Sequence, residues 1–194
     1  MAGLRRGFKT WCENAARGYR RDLGLDPFGA LDPRQLAAHL GIVVWTPREV
    51  PALAPRDLRQ LSVAGADEWS AATLRVGGDY LIILNDTHDL GRQNNTLAHE
   101  LGHVVLRHEP AKMFITSDGL MMMSEYNEEF EQEADCFAGA ILVPREALLR
   151  LVSSGASNRE AAGHFKVSEG LVQMRRNLTG VDIQTGRRRG TWSP

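Results

Sequence analysis

Two histidines four residues apart, with a glutamate directly after the first, stand in the stretch TLAHELGHVV, Thr96–Val105. In a helix each residue advances about 100°, so His99 and His103 fall about 40° apart and point the same way. Glu100 lies about 100° round from His99, off that line but within reach of a water beside anything the two imidazoles hold. This arrangement suits metal-assisted hydrolysis, in which two imidazoles bind a divalent ion and a carboxylate takes a proton from water. The same spacing also arises in helices whose histidines are merely hydrogen-bonded, so the pair alone leaves both readings open.

The rest of the stretch must bury this helix. Leu97, Leu101, Val104 and Val105 form an apolar stripe, the pattern of a helix seated on a core. Gly102 flanks the histidine face. A glycine in mid-helix costs about 1 kcal/mol relative to alanine, a cost offset where another backbone must come close.

A catalytic zinc takes three protein ligands and keeps one position open. The long form with a further histidine six residues after the second is excluded, because Leu106 and Glu109 occupy its glycine and histidine positions. His108, about 140° from the His103 direction if the helix continues, reads as a helix C-terminal histidine interacting with free carbonyls. His88 reads as polar surface rather than as a substrate-facing group. The later segment EEFEQEADCFAGAILVP offers more. Phe130, Ala134, Phe137 and Ile141 make its core stripe, with Glu131 beside it and Asp135 one turn further on the same face. Glu131 is therefore the best candidate for the third ligand, against the alternative of a merely charged, solvated face, and Asp135 is placed to accept the free N–H of a ligating histidine. Glu129 and Glu133 fall on the other side and read as solvated.

The chain has 194 residues, 43% hydrophobic and 24% charged, with a net charge of -1. These values fit one compact domain with at most a small appendage, and give no overall attraction to nucleic acid or membrane. Two cysteines, Cys12 and Cys136, imply no disulfide framework and fit a reducing compartment. No apolar core follows the basic N-terminus, and no run approaches the roughly 20 residues of a membrane span. The expectation is a cytoplasmic protein.

The periodicity predicts an amphipathic helix over 1–24 and a second after Asp32, stopped at Gly41. A short strand at Ile42–Trp45 and a Pro-rich connection follow. Two strands flank Gly77-Gly78, which supplies the positive φ of a tight hairpin. A polar loop then runs to Asn94 or Asn95, read as the cap of the histidine helix. Residues 109–124, including GLMMM, read as a loop, either packed on the core or available to hold a substrate segment. Helices follow over about 127–143 and 145–152. Ser157 with Glu160 forms a capping box, and Ser168 caps a further helix, at helix-turn-helix spacing. The expected organisation is a main domain at 1–153, a small helix-turn-helix-like unit at 154–180 and a disordered tail at 181–194.

TLAHELGHVVL, EQEADCFAGAILVP and AAGHFKVSEGLVQMRRNLTG together resemble the ImmA/IrrE family of zinc metallo-endopeptidases, and LDPRQLAAHLGIVV resembles that family's N-terminal region. The resemblance implies an α+β, mainly helical zincin-like fold, with a small three-stranded antiparallel or mixed sheet beside the active-site helix. It implies zinc on His99, His103 and Glu131, with Glu100 as general base and manganese as an alternative working metal. It implies a protein substrate, a helix-turn-helix repressor whose cleavage relieves transcription of phage, mobile-element or stress genes. No oxyanion donor is assigned: Tyr126, just before the ligand helix, reads as a core or surface tyrosine ahead of that role. Two rivals stand beside it. One is a DNA-binding regulator touching phosphates through Arg175, Arg176 and Arg187–Arg189. The other is a zinc-binding sensor that cuts nothing, against which the presence of Glu100 argues.

Overall fold

The computed structural model describes residues 4–109, 113–115, 121–123 and 127–190. In chain order it comprises α1 (Phe8–Asp22), α2 (Pro33–His39), β1 (Val43–Trp45), α3 (Pro55–Arg59), β2 (Ala71–Val76), β3 (Asp79–Leu84), α4 (Leu90–Leu106), β4 (Met113–Ile115), β5 (Met121–Met123), α5 (Glu128–Leu142), α6 (Arg145–Ser153), α7 (Asn158–Phe165), α8 (Glu169–Thr179) and α9 (Val181–Gly190). The sheet order is β1-β3-β2, with β1 parallel and β2 antiparallel to β3. It is thus the small mixed sheet the resemblance implies.

Local chemistry explains most boundaries. Asp32 caps α2 by accepting from the Arg34 N–H, with Pro33 at the first position, where its missing N–H costs nothing. The β2–β3 turn closes on two residues, with Val76 opposite Asp79. Gly77 holds φ 64° there, a conformation a β-carbon would strain. Asn127 caps α5, Ser157 and Glu160 form the capping box of α7, and Ser168 caps α8.

Three readings change. Helix α4 begins at Leu90 with Asp89 as its cap, so residues 90–95 of the polar run form its first turn and a half rather than the end of a loop. Its Asn94 and Asn95 instead bond forward to Lys166 and Ser168, docking the α7–α8 turn. Within 109–124, β4 and β5 pair antiparallel. Residues 116–120 and 124–126, Tyr126 among them, lie outside the described residues. The tail expected to be disordered is helical over Val181–Gly190. Val181 is fully buried and Thr185 nearly so. Packing against the core overrides a composition poor in apolar residues.

Two cores share the α4–α5 pair. Leu97, Leu101, Phe137 and Ile141 join α1, α2 and the sheet. Ala98, Ala138 and Leu142 join α6, α7, α8 and α9. Residues 154–180 thus share a core with the rest of the chain. Each large apolar side chain buried in this way contributes about 1.5–3 kcal/mol. Together they clamp α4 and α5 from both sides. Arg175 is 2% exposed and bonded to the Val143 carbonyl and to Glu13, so it is unable to reach a phosphate. Among the described residues no helix is long and apolar enough to cross a membrane.

Candidate metal centre

The contact between α4 and α5 depends on Gly102. A β-carbon there would lie 3.2 Å from the Ala134 Cα, the Ala134 carbonyl oxygen and Phe137 Cδ1. The backbones touch at this point, which is the close approach that offsets the mid-helix glycine. The crossing brings His99 and His103 of α4 against Glu131 of α5. One ligand atom from each lies within 4.8 Å of the others. His99 Nε2 is 3.1 Å from Glu131 Oε2, and His103 Nε2 is 3.5 Å from Glu131 Oε1. The two Nε2 atoms are 2.9 Å apart.

This donor set fits a divalent ion, because two imidazole nitrogens and a carboxylate oxygen are donors that zinc takes, and one ligand atom of each group lies within reach of the others. The outward ring nitrogens are separately engaged, as metal-binding imidazoles require. His99 Nδ1 donates to Asp135 Oδ1 at 2.8 Å, the contact the helical wheel predicts. Burial opposes protonation of His99, but the Asp135 hydrogen bond and the charges of Asp135, Glu100 and Glu131 outweigh it and raise its pKa. Burial, and then the neighbouring His99, lower that of His103.

These directions predict a pH dependence. A histidine must be neutral to bind a metal. Its folded-state pKa being raised, His99 holds its proton to higher pH than an ordinary histidine, whereas His103 gives its up early. Zinc affinity, titrated across pH by chelator competition, should therefore start to fall on acidification while still above the usual histidine range. Asp135→Asn should move that onset to lower pH.

Glu100 sits one residue beyond His99, and its Oε2 accepts from Thr73 Oγ1 at 2.6 Å. Thr73 lies on β2, an edge strand of the sheet. Sequence reasoning missed it, because nothing local to β2 signals a partner 27 residues away.

Glu133 is 7% exposed, not solvated, and His108 is 8% exposed. His108 Nδ1 lies 3.0 Å from His103 Nδ1, and its Nε2 lies 3.1 Å from Glu133 Oε2. Arg5 Nε lies 3.1 Å from Glu133 Oε1, an ion pair. His108 stands at the end of α4 as read, but its ring meets His103 and Glu133 rather than free carbonyls. Arg107 adopts φ 58° and ψ 37°, which folds the chain back over His103. His88 is likewise buried, with Nε2 3.2 Å from the Ala66 carbonyl. It anchors the approach to α4 rather than facing solvent. Of the two glutamates read as solvated, only Glu129 is exposed.

A His-His-carboxylate cluster on two crossed helices beside a small mixed sheet defines a zincin-like fold. The chain belongs to the Peptidase M78 family of metallopeptidases, whose IrrE N-terminal-like domain matches residues 55–177, more than half of its length. No protein of curated function matches it in sequence. Among solved structures it is similar to a Mycobacterium tuberculosis transcriptional regulator, with a TM-score of 0.52 and 16% identity over 87% of this chain. The chain spans 46% of that protein's length, and at such identity the likeness carries the fold alone.

Proposed function

We propose that the protein is a zinc-dependent endopeptidase that cleaves a helix-turn-helix repressor and so releases phage, mobile-element or stress genes. The observation that carries this is the convergence of His99, His103 and Glu131 with Glu100 alongside, within a metallopeptidase family. The His-His-carboxylate set suits zinc, with manganese as the alternative. Similarity in fold to a transcriptional regulator agrees with a role in gene control.

Zinc held by His99, His103 and Glu131 would supply Lewis acidity toward the scissile carbonyl and would acidify the attacking water. Glu100 accepts a proton from that water and delivers it to the leaving amine. Asp135 orients His99, and Thr73 holds the Glu100 carboxylate in one rotamer. Thr73→Val should thus lower kcat about tenfold, the worth of a hydrogen bond to a charged group. Zinc affinity should not change, and Thr73→Ser should restore the rate.

The purified protein, loaded with zinc and mixed with a repressor encoded beside it, should cut that repressor at a discrete site. Chelation should stop the cut and added zinc should restore it. Cleavage that survives chelation overturns the proposal.

A further inference from the structure

The side chains behind His103 form a chain of hydrogen bonds with a direction. Glu133 faces the Arg5 guanidinium on one oxygen and His108 Nε2 on the other. A carboxylate ion-paired with Arg5 can only accept from the ring, so His108 Nε2 carries a hydrogen. A neutral His108 then presents Nδ1 as an acceptor. Its neighbour 3.0 Å away, His103 Nδ1, must donate. With its hydrogen fixed on Nδ1, His103 has a lone pair on Nε2, the atom that faces His99 and Glu131. His108 is not itself a ligand, since both of its ring nitrogens are used and it meets His103 on the side away from the cluster.

We infer that His108 and Glu133 are positioning residues that select the metal-binding tautomer of His103; the inference rests on the metal-centre reading above. Burial makes this arm more consequential than the one at His99. The side chains of His108 and Glu133 are 4% and 10% exposed, whereas that of Asp135 is 67% exposed. Water can replace Asp135 but has little access to the buried pair, where a lost partner leaves an unsatisfied polar group. Ring orientation is also set, because His108 stacks on Phe130 at 4.3 Å with planes 5° apart. Helix α5 therefore supplies Glu131 to one side of His103, and Phe130 and Glu133 to the group on the other. Arg5, with a side chain 65% exposed, adds only the outer end of the chain.

Two measurements test this. Imidazole nitrogen NMR on the metal-free protein at mildly alkaline pH should show His103 as the Nδ1–H tautomer and His108 as Nε2–H. Glu133→Gln, close in volume and able to donate or accept, should mix the His103 tautomers. In zinc competition against a chromophoric chelator, His108→Leu and Glu133→Gln should each weaken binding by about 10–100-fold, as loss of an orienting partner does. Arg5→Ala should change it less than either. A His103 Nε2–H tautomer in the unmodified protein, or both variants binding zinc as the unmodified protein does, overturns the inference alone. Failure of the unmodified protein to bind zinc overturns the metal-centre reading and this inference with it. Should His108→Leu not fold, Glu133→Gln carries both measurements by itself.

Discussion

Glu100→Gln is expected to abolish repressor cleavage while leaving zinc content unchanged. The substitution keeps the size of the side chain and leaves Thr73 Oγ1 an oxygen to donate to, as it now does to Glu100 Oε2 at 2.6 Å. What it removes is the capacity to take a proton. General-base contributions run to about 10²–10⁴ in rate, and here the same group must also return the proton to the leaving amine. The loss should therefore sit at the upper end and appear in kcat. Glu100 is not among the three residues whose ligand atoms converge, so zinc measured after dialysis should match the unmodified protein. A cleaving Glu100→Gln variant would remove the general base from the mechanism. A variant that loses its zinc would instead mean that Glu100 helps hold the metal.

The second large effect belongs to Glu131→Gln. An amide in this place removes the negative charge that faces His99 Nε2 at 3.1 Å and His103 Nε2 at 3.5 Å, and an amide oxygen is a far weaker ligand for zinc than a carboxylate. Zinc affinity should fall by more than the roughly 10–100-fold typical of orienting partners. The comparison that gives this meaning runs along one helix. Glu129→Gln should be silent, since Glu129 is exposed. Glu133→Gln should be intermediate, since it acts through His108. Glu131→Gln should be the most severe. Chelator competition on the three variants reads the order directly. Equal losses at Glu129 and Glu131 would mean that the effect is one of net helix charge rather than coordination.

The sequence determined more of the site than of its surroundings. The spacing of His99 and His103, Glu131 with Asp135 one turn on, the α2 and α7 caps and the Gly77-Gly78 turn were all legible. Each depends on a helical or turn period that acts over a few residues. The α4–α5 pairing was legible only in outline, through Gly102 as a point of clearance; that Ala134 fills that clearance is a fact of packing. The misread residues have a common cause. Glu133 was assigned to solvent from its wheel position, but the far side of α5 meets Arg5 and the segment after α4. His108 does stand at the end of α4, but Arg107 in the left-handed region turns its ring toward His103 and Glu133 rather than toward free carbonyls. Thr73, Val181 and Thr185 carry no local signal whatever. Periodicity says which residues of one element share a face, and so it could name the three groups able to hold a metal. Which face meets which neighbour depends on contacts between residues far apart in the chain. The partners of those groups, Thr73 behind Glu100 and the His108–Glu133 pair behind His103, were therefore decided by the tertiary structure alone.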